Sequence, residues 1–170
     1  MLFRSANYRT VPDTSWDGAR RTAEMDATGI RRHVVSPMPE LLSYWMTPRD
    51  GAALVGHVNE EIAALCDAQP DRFSGIGGVP LQDVDLAIRA LESIGATGRL
   101  VGVEIATHVN GVSIGDPRFE PFFAAAERLD LPIFVHGLRP AGADRIIGRG
   151  LEQVVAFPGD VALAIASMIT

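Results

Sequence analysis

The chain has 170 residues, 47% hydrophobic and 21% charged, with a formal net charge of −6. That length suits one ordinary globular domain with a sizeable core. The acidic balance disfavours nucleic acid as a partner, since phosphate binding needs a basic face.

Cys66 is the single cysteine, so no internal disulfide can form. A reducing, cytoplasmic setting is the simplest expectation. No apolar run approaches membrane-span length, and residues 1–15 lack the apolar centre of a signal peptide. No membrane partner is expected.

Residues Met1 to Thr14 read as an irregular lead-in. Ser15 is a candidate cap for a helix running to about Thr28, with Gly29 as terminator. The run Arg32 to Ser36 reads as a short strand stopped by Pro37. Thr47-Pro48 opens the next helix, with proline at the first helical position. Leu54, Val58, Ile62 and Leu65 follow at helical spacing and predict its buried stripe.

Phe73 to Leu81 is the second strand candidate. Asp83 begins a helix with Val84, Ala87, Ile88 and Leu91 on one side. Leu100 to Thr107 is a third strand. Asp116-Pro117 starts a helix to about Leu129, with Phe119, Phe122, Phe123 and Ala126 inward. Leu131 to Gly137 is the fourth strand candidate. The last helix begins near Pro158 and carries Val161, Leu163, Ile165, Met168 and Ile169.

Strands alternating with helices imply a parallel α/β sheet. An open doubly wound sheet and part of a (β/α)8 barrel both fit. Thr170 falls inside an apolar helical pattern with no terminator, and no strand precedes the first helix. Both ends therefore read as cut. The expectation is a single incomplete domain over 1–170, with 1–14 as its lead-in. It is a partial barrel of about four parallel strands with flanking helices.

His136 is the main chemical candidate. It closes the apolar run Leu131-Pro132-Ile133-Phe134-Val135, where a barrel strand would meet its catalytic loop. A neutral imidazole there is a candidate metal ligand, and a hydrogen-bonded strand-end histidine is the plain alternative. His108 lies just past a strand and reads either as a pocket residue or as a solvated loop histidine. Glu104 sits inside an apolar strand, so it must be paired or shifted in pKa. It could support a ligand or pair with an arginine.

Gly75-x-Gly77-Gly78 precedes more strand rather than a helix, so it is not read as a phosphate loop. Trp16, Tyr44 and Trp45 read as packing residues.

The pieces Tyr8-Arg9…Trp16-Asp17, Ala23 to Gly29, Ser43-Tyr44-Trp45, Val79 to Asp83, Gly102 to Asn110, Ala124 to Leu129, Phe134-Val135-His136 and Ala164 to Ile169 stand in a distinctive order. In that order the chain resembles the amidohydrolase-related family typified by aminocarboxymuconate-semialdehyde decarboxylase. The resemblance implies a (β/α)8 barrel in which the strands above are the second to the fifth. It also implies one divalent metal, usually zinc, held by His136 and by ligands outside this chain.

Arg9 matches the family's carboxylate-gripping arginine, whose fork suits two parallel hydrogen bonds. Leu138 stands where the decarboxylase has a pocket-lining tryptophan. His108 and Arg139 are further candidates for substrate contact. The chain has no His-x-His and no later His-Gly-Gly, so no catalytic acid or base is identifiable in it.

The expected function is decarboxylation of an unsaturated or aromatic carboxylic acid by the full-length protein, with this chain inactive alone. A metal-dependent hydrolase of a lactone, amide or ester is the alternative on the same barrel. A non-catalytic α/β binding module is the alternative from another class. The expected partners are a small carboxylate substrate and, by resemblance, a second copy in a homodimer.

Overall fold

The computed structural model describes residues 10–146 and 150–169. Helix α1 (Gly18–Thr28) ends at Gly29, whose φ of 73° is the left-handed terminator expected of that residue. Its start differs from expectation. Asp13–Ser15 form a 3-10 turn, and the Asp17 carboxylate accepts from the Arg20 N–H at 3.1 Å. Asp17 therefore caps the helix, because Ser15 is spent in the preceding turn.

Strand β1 (His33–Val35) leads to α2 (Pro48–Ala68), capped by Thr47, which accepts from the Asp50 N–H. Strands β2 (Phe73–Gly75) and β3 (Gly77–Gly78) flank Ile76. Helix α3 (Val84–Thr97) is capped by Asp83 and closed by Gly98. Strand β4 (Val103–Ala106) is followed by a hairpin of β5 (His108–Val109) and β6 (Val112–Ser113).

Both hairpin turn residues, Asn110 and Gly111, have positive φ, as a tight Asn-Gly turn requires. A 3-10 turn at Pro117–Phe119 enters α4 (Glu120–Arg128). Strand β7 (Ile133–His136) and helix α5 (Phe157–Ile169) complete the order.

The long strands pair in parallel, β1 with β2, β3 with β4, and β4 with β7. The Ile76 N–H donates to the Val35 carbonyl, and the Val101 N–H donates to the Gly75 carbonyl. These bonds join β2 and β3 into one interrupted strand between β1 and β4. Each strand thus lies beside the next in sequence. A doubly wound sheet reverses its strand order at a switch point, and none occurs among the described strands.

The two faces of the sheet differ. On one, Phe73, Val103 and Ile105 are fully buried with Ile62, Ala63 and Cys66 of α2 and Phe122 of α4. On the other, Val34 is 65% and Phe134 51% exposed. No described helix is long and apolar enough to cross a membrane.

Two helices turn differently from their apolar patterns. The buried residues of α2 are Gly51, Val55, Ile62, Ala63 and Cys66, while Leu54, Val58 and Leu65 sit at the edge. The helix lies close to the glycine-bearing strand. A side chain on Gly75 would press into Ile62 and Cys66, so the small residues face inward. In α5 the buried residues are Asp160 and Ala164, whereas Leu163 and Ile169 are 71% and 80% exposed. This helix docks on the hairpin: Ser167 shares a 2.7 Å hydroxyl contact with Ser113, and any side chain on Gly115 would strike the Ser167 carbonyl.

Where β1 has ended, the Asn59 side chain replaces a strand partner for Gly78. Its Nδ2 donates to the Gly78 carbonyl at 3.0 Å, and its Oδ1 accepts from the Gly78 N–H at 2.7 Å. Replacing Asn59 by Ala orphans both groups and lowers unfolding free energy by about 1–3 kcal/mol. Val34→Thr on the open face stays within about 0.5 kcal/mol of the parent. Parallel urea titrations check both values.

Candidate active site

The register of β4 and β7 sets Ala106 opposite His136 and Glu104 opposite Phe134. All four side chains therefore share the face opposite α2 and α4. The Phe134 ring stands edge-on to the His136 imidazole, with centroids 6.1 Å apart. His136 ends its strand half-buried, and its Nδ1 lies 2.7 Å from the Gly137 carbonyl oxygen. A carbonyl only accepts, so Nδ1 carries the proton of the neutral ring and Nε2 keeps its lone pair. That tautomer suits a metal ligand.

Glu104 is fully buried. Neither carboxylate oxygen has a hydrogen-bond partner of ordinary geometry among the described residues. Burial pushes its pKa up; the nearby Ser36 hydroxyl and the His136 ring partly offset this. No arginine partner is found for it, so of the two sequence readings the ion pair is absent among the described residues. Tyr44 is buried beside it, and burial, the largest influence, raises its phenol pKa too. The phenol oxygen faces the Ala106 N–H at 3.5 Å.

Three connections meet at the C-terminal ends of the strands. The one after β1 carries Tyr44 and Trp45, the one after β4 carries His108 and Asn110, and the one after β7 carries Leu138 and Arg139. Asn110 donates from Nδ2 to the Tyr44 carbonyl at 2.8 Å. His108 accepts at Nδ1 from the Gly111 N–H, which leaves Nε2 as the donor to the Arg139 carbonyl at 3.0 Å. The Arg139 guanidinium lies 3.7 Å above the centre of the Trp45 ring. Asp160 of α5 accepts from the Thr107 hydroxyl and from the Ala141 N–H. One buried carboxylate thereby ties the end of β4 to the connection after β7.

A cavity of about 590 Å³ opens here, lined by Glu40, His136, Leu138, Arg139 and Phe157 among others. Of the sequence candidates, His136, Leu138 and Arg139 come together on it. His108 is held by its hydrogen bonds to Gly111 and Arg139 rather than lining the wall. Arg9 lies outside the described residues.

Trp16 was expected to pack, but it is 68% exposed on a groove beside β1. No local partner covers it among the described residues. The sequence does not point to Trp45 or Asp160 at the site, yet Trp45 lies under Arg139 and Asp160 binds Thr107 and Ala141. A cue existed for Asp160, an acid inside an otherwise apolar helix.

A catalytic zinc-type centre needs about three protein ligands and an open position. No group of three or more His, Cys, Asp or Glu among the described residues could hold a metal ion. The described wall offers one imidazole toward such a centre and does not complete it.

Residues 9–168 match the family model described as Amidohydrolase. The chain belongs to the amidohydrolase family. It is 31% identical over 169 residues to the 2-amino-3-carboxymuconate-6-semialdehyde decarboxylase of Dictyostelium discoideum, covering 99% of this chain and 47% of that protein. It is 30% identical to the gamma-resorcylate decarboxylase of Rhodococcus jostii, covering 82% of this chain and 48% of that one.

The fold superimposes on 5-carboxyvanillate decarboxylase from Sphingomonas paucimobilis with a TM-score of 0.81 at 29% identity. That match covers 88% of this chain and 45% of the other. A second 5-carboxyvanillate decarboxylase, from Novosphingobium aromaticivorans, was solved with manganese and a nitrobenzoic acid (TM-score 0.77, 27% identity, 89% of this chain and 44% of that one). The amidohydrolase chain described here thus spans about half the length of the curated relatives it matches.

The raised pKa of Glu104 has a signed consequence. The folded state holds this proton more tightly than the unfolded state. Stability therefore falls as pH rises from the ordinary carboxylate range toward the raised value. Glu104→Gln removes the drop, so the variant gains on the parent as pH increases through that window. Urea unfolding of both proteins from pH 4 to 8 reads the divergence.

Proposed function

We propose that this chain forms one wall of a metal-dependent decarboxylase acting on an unsaturated or aromatic carboxylic acid. In this reading β1, β2 with β3, β4 and β7 are the second to fifth strands of an eight-stranded barrel. The carrying observation is His136, at the C-terminal tip of β7 on the face opposite α2 and α4, with its Nε2 lone pair unengaged.

His136 serves as one ligand of a divalent ion, and the remaining donors lie outside the described residues. Zinc is the metal implied by the resemblance; a relative in crystal form holds manganese. Such an ion, when bound, supplies Lewis-acid stabilisation of charge building on substrate oxygen.

This chain's own residues shape the rest of the cavity. Leu138, only 7% exposed, presents an apolar surface to the substrate ring. His108 acts indirectly, fixing the backbone from which Arg139 projects. Arg9, by resemblance, grips the substrate carboxylate. The decarboxylases among the relatives support this reading over a hydrolase on the same barrel. They also support it, together with the sequential parallel strand order, over a binding module.

Two measurements test it. In the full-length protein, His136→Ala lowers carbon dioxide release from an aromatic acid by more than about 100-fold, since even outer contacts to a metal ligand cost 10–100-fold. The 170-residue chain alone releases no carbon dioxide and takes up no stoichiometric zinc or manganese by calorimetry. Tight one-to-one binding by that chain would overturn the single-donor reading.

A further inference from the structure

We propose that Arg139, set over the ring of Trp45, is a carboxylate-binding residue that selects planar acids for the cavity beside His136. The inference rests on the reading of that cavity as a substrate site.

A guanidinium presents two surfaces. Its face stacks on aromatic rings, and its edge carries five N–H donors. With its guanidinium carbon 3.7 Å over the Trp45 centroid, one side of Arg139 is occupied. The edge is not: none of its N–H groups has a hydrogen bond or ion pair with a described residue. The stack removes rotational freedom from a long side chain and leaves a planar fork suited to two parallel bonds with carboxylate.

The backbone is equally committed. Arg139 has a φ of 50°, in the left-handed region that a non-glycine residue seldom adopts. Such strain persists only where the surroundings enforce it. Here the His108 imidazole donates to the Arg139 carbonyl, and Leu138 and Pro140 on either side are buried. The flanking anchors point the side chain over Trp45.

Trp45 is 39% exposed, so part of the indole remains open next to the fork. A flat acid meets an aromatic edge and a cationic fork together: Arg139 and the apolar Leu138 line the cavity, and Trp45 lies against Arg139 beside it. A carboxylate on a planar ring fits these three contacts better than a tetrahedral anion does.

Trp45 is one of only two tryptophans, which makes the site its own reporter. In a Trp16→Phe background, benzoate changes Trp45 emission saturably and benzamide, its neutral counterpart, does not. Inorganic phosphate at equal ionic strength does not displace benzoate. Arg139→Gln and Arg139→Lys each weaken the benzoate response about 10–100-fold, the loss expected for hydrogen bonds to a charged group. Circular dichroism melts confirm that each variant is folded.

In the full-length protein, Arg139→Gln raises KM for the acid at least about tenfold and leaves kcat within a factor of about three, as loss of uniform binding does. Equal responses to benzoate and benzamide, displacement by phosphate, an undiminished response in folded Arg139→Gln, or an unchanged KM would each overturn the proposal. The emission measurement needs no metal and no turnover. Failure of decarboxylation with benzoate binding intact therefore counts against the wider functional reading, and leaves the role of Arg139 standing.

Discussion

The pairing of β4 with β7 is the constraint on which the candidate site depends. Side chains alternate along a strand, so a slip of one residue would turn His136 from the open face into the helix layer. The register is held at both ends: the Val103 N–H donates to the Pro132 carbonyl, and the Thr107 N–H donates to the His136 carbonyl. Between them, Val103 and Ile105 are fully buried on the helix face. Slippage would move these apolar side chains off the core. Burial on one face thereby fixes the position of the imidazole on the other.

The connections at the strand tips are held to one another rather than only to their own strands. Asn110 reaches Tyr44, His108 reaches Arg139, Arg139 covers Trp45, and Asp160 joins Thr107 to Ala141. Where such a contact is buried, as between Asp160 and Thr107, removing one member leaves the other unsatisfied in a low-dielectric setting. The Asp160 carboxylate is the clearest case. It lies 8% exposed in a helix that otherwise turns large apolar residues to solvent. Its two acceptor bonds orient that helix more firmly than hydrophobicity does.

Local chemistry was legible in the sequence where a residue acts within its own segment. Thr47, Asp83 and Asp116 cap as their positions imply, and Gly29 and Gly98 terminate helices with left-handed backbones. The alternation of strand and helix carries the parallel order, and the strand-end position of His136 is visible from the apolar run before it. Ser15 misleads because Asp17, two residues on, has the better reach. The faces of α2 and α5 were hidden for a different reason. They are chosen by distant small residues, Gly75 for one and Gly115 for the other, that permit close approach. The same holds for the stacking of Arg139 on Trp45, where 94 positions separate the partners in sequence. No local pattern carries a contact of that kind.

The two faces of these strands divide stability from chemistry. Helix-side positions are filled to the density at which losing a side chain leaves a cavity. The opposite positions hold Val34 and Phe134, which are exposed, a half-buried His136, and Glu104, which is buried without an ordinary partner. Large apolar groups stand exposed beside a carboxyl group with no ordinary partner. A fold selected for stability alone would place neither there. On the function proposed above, this face is one side of an enclosed chamber, in which a ring is held by apolar contact and its charge is met by fixed donors. The half-buried His136 imidazole, with Nε2 unengaged, sits where such a chamber meets its mouth.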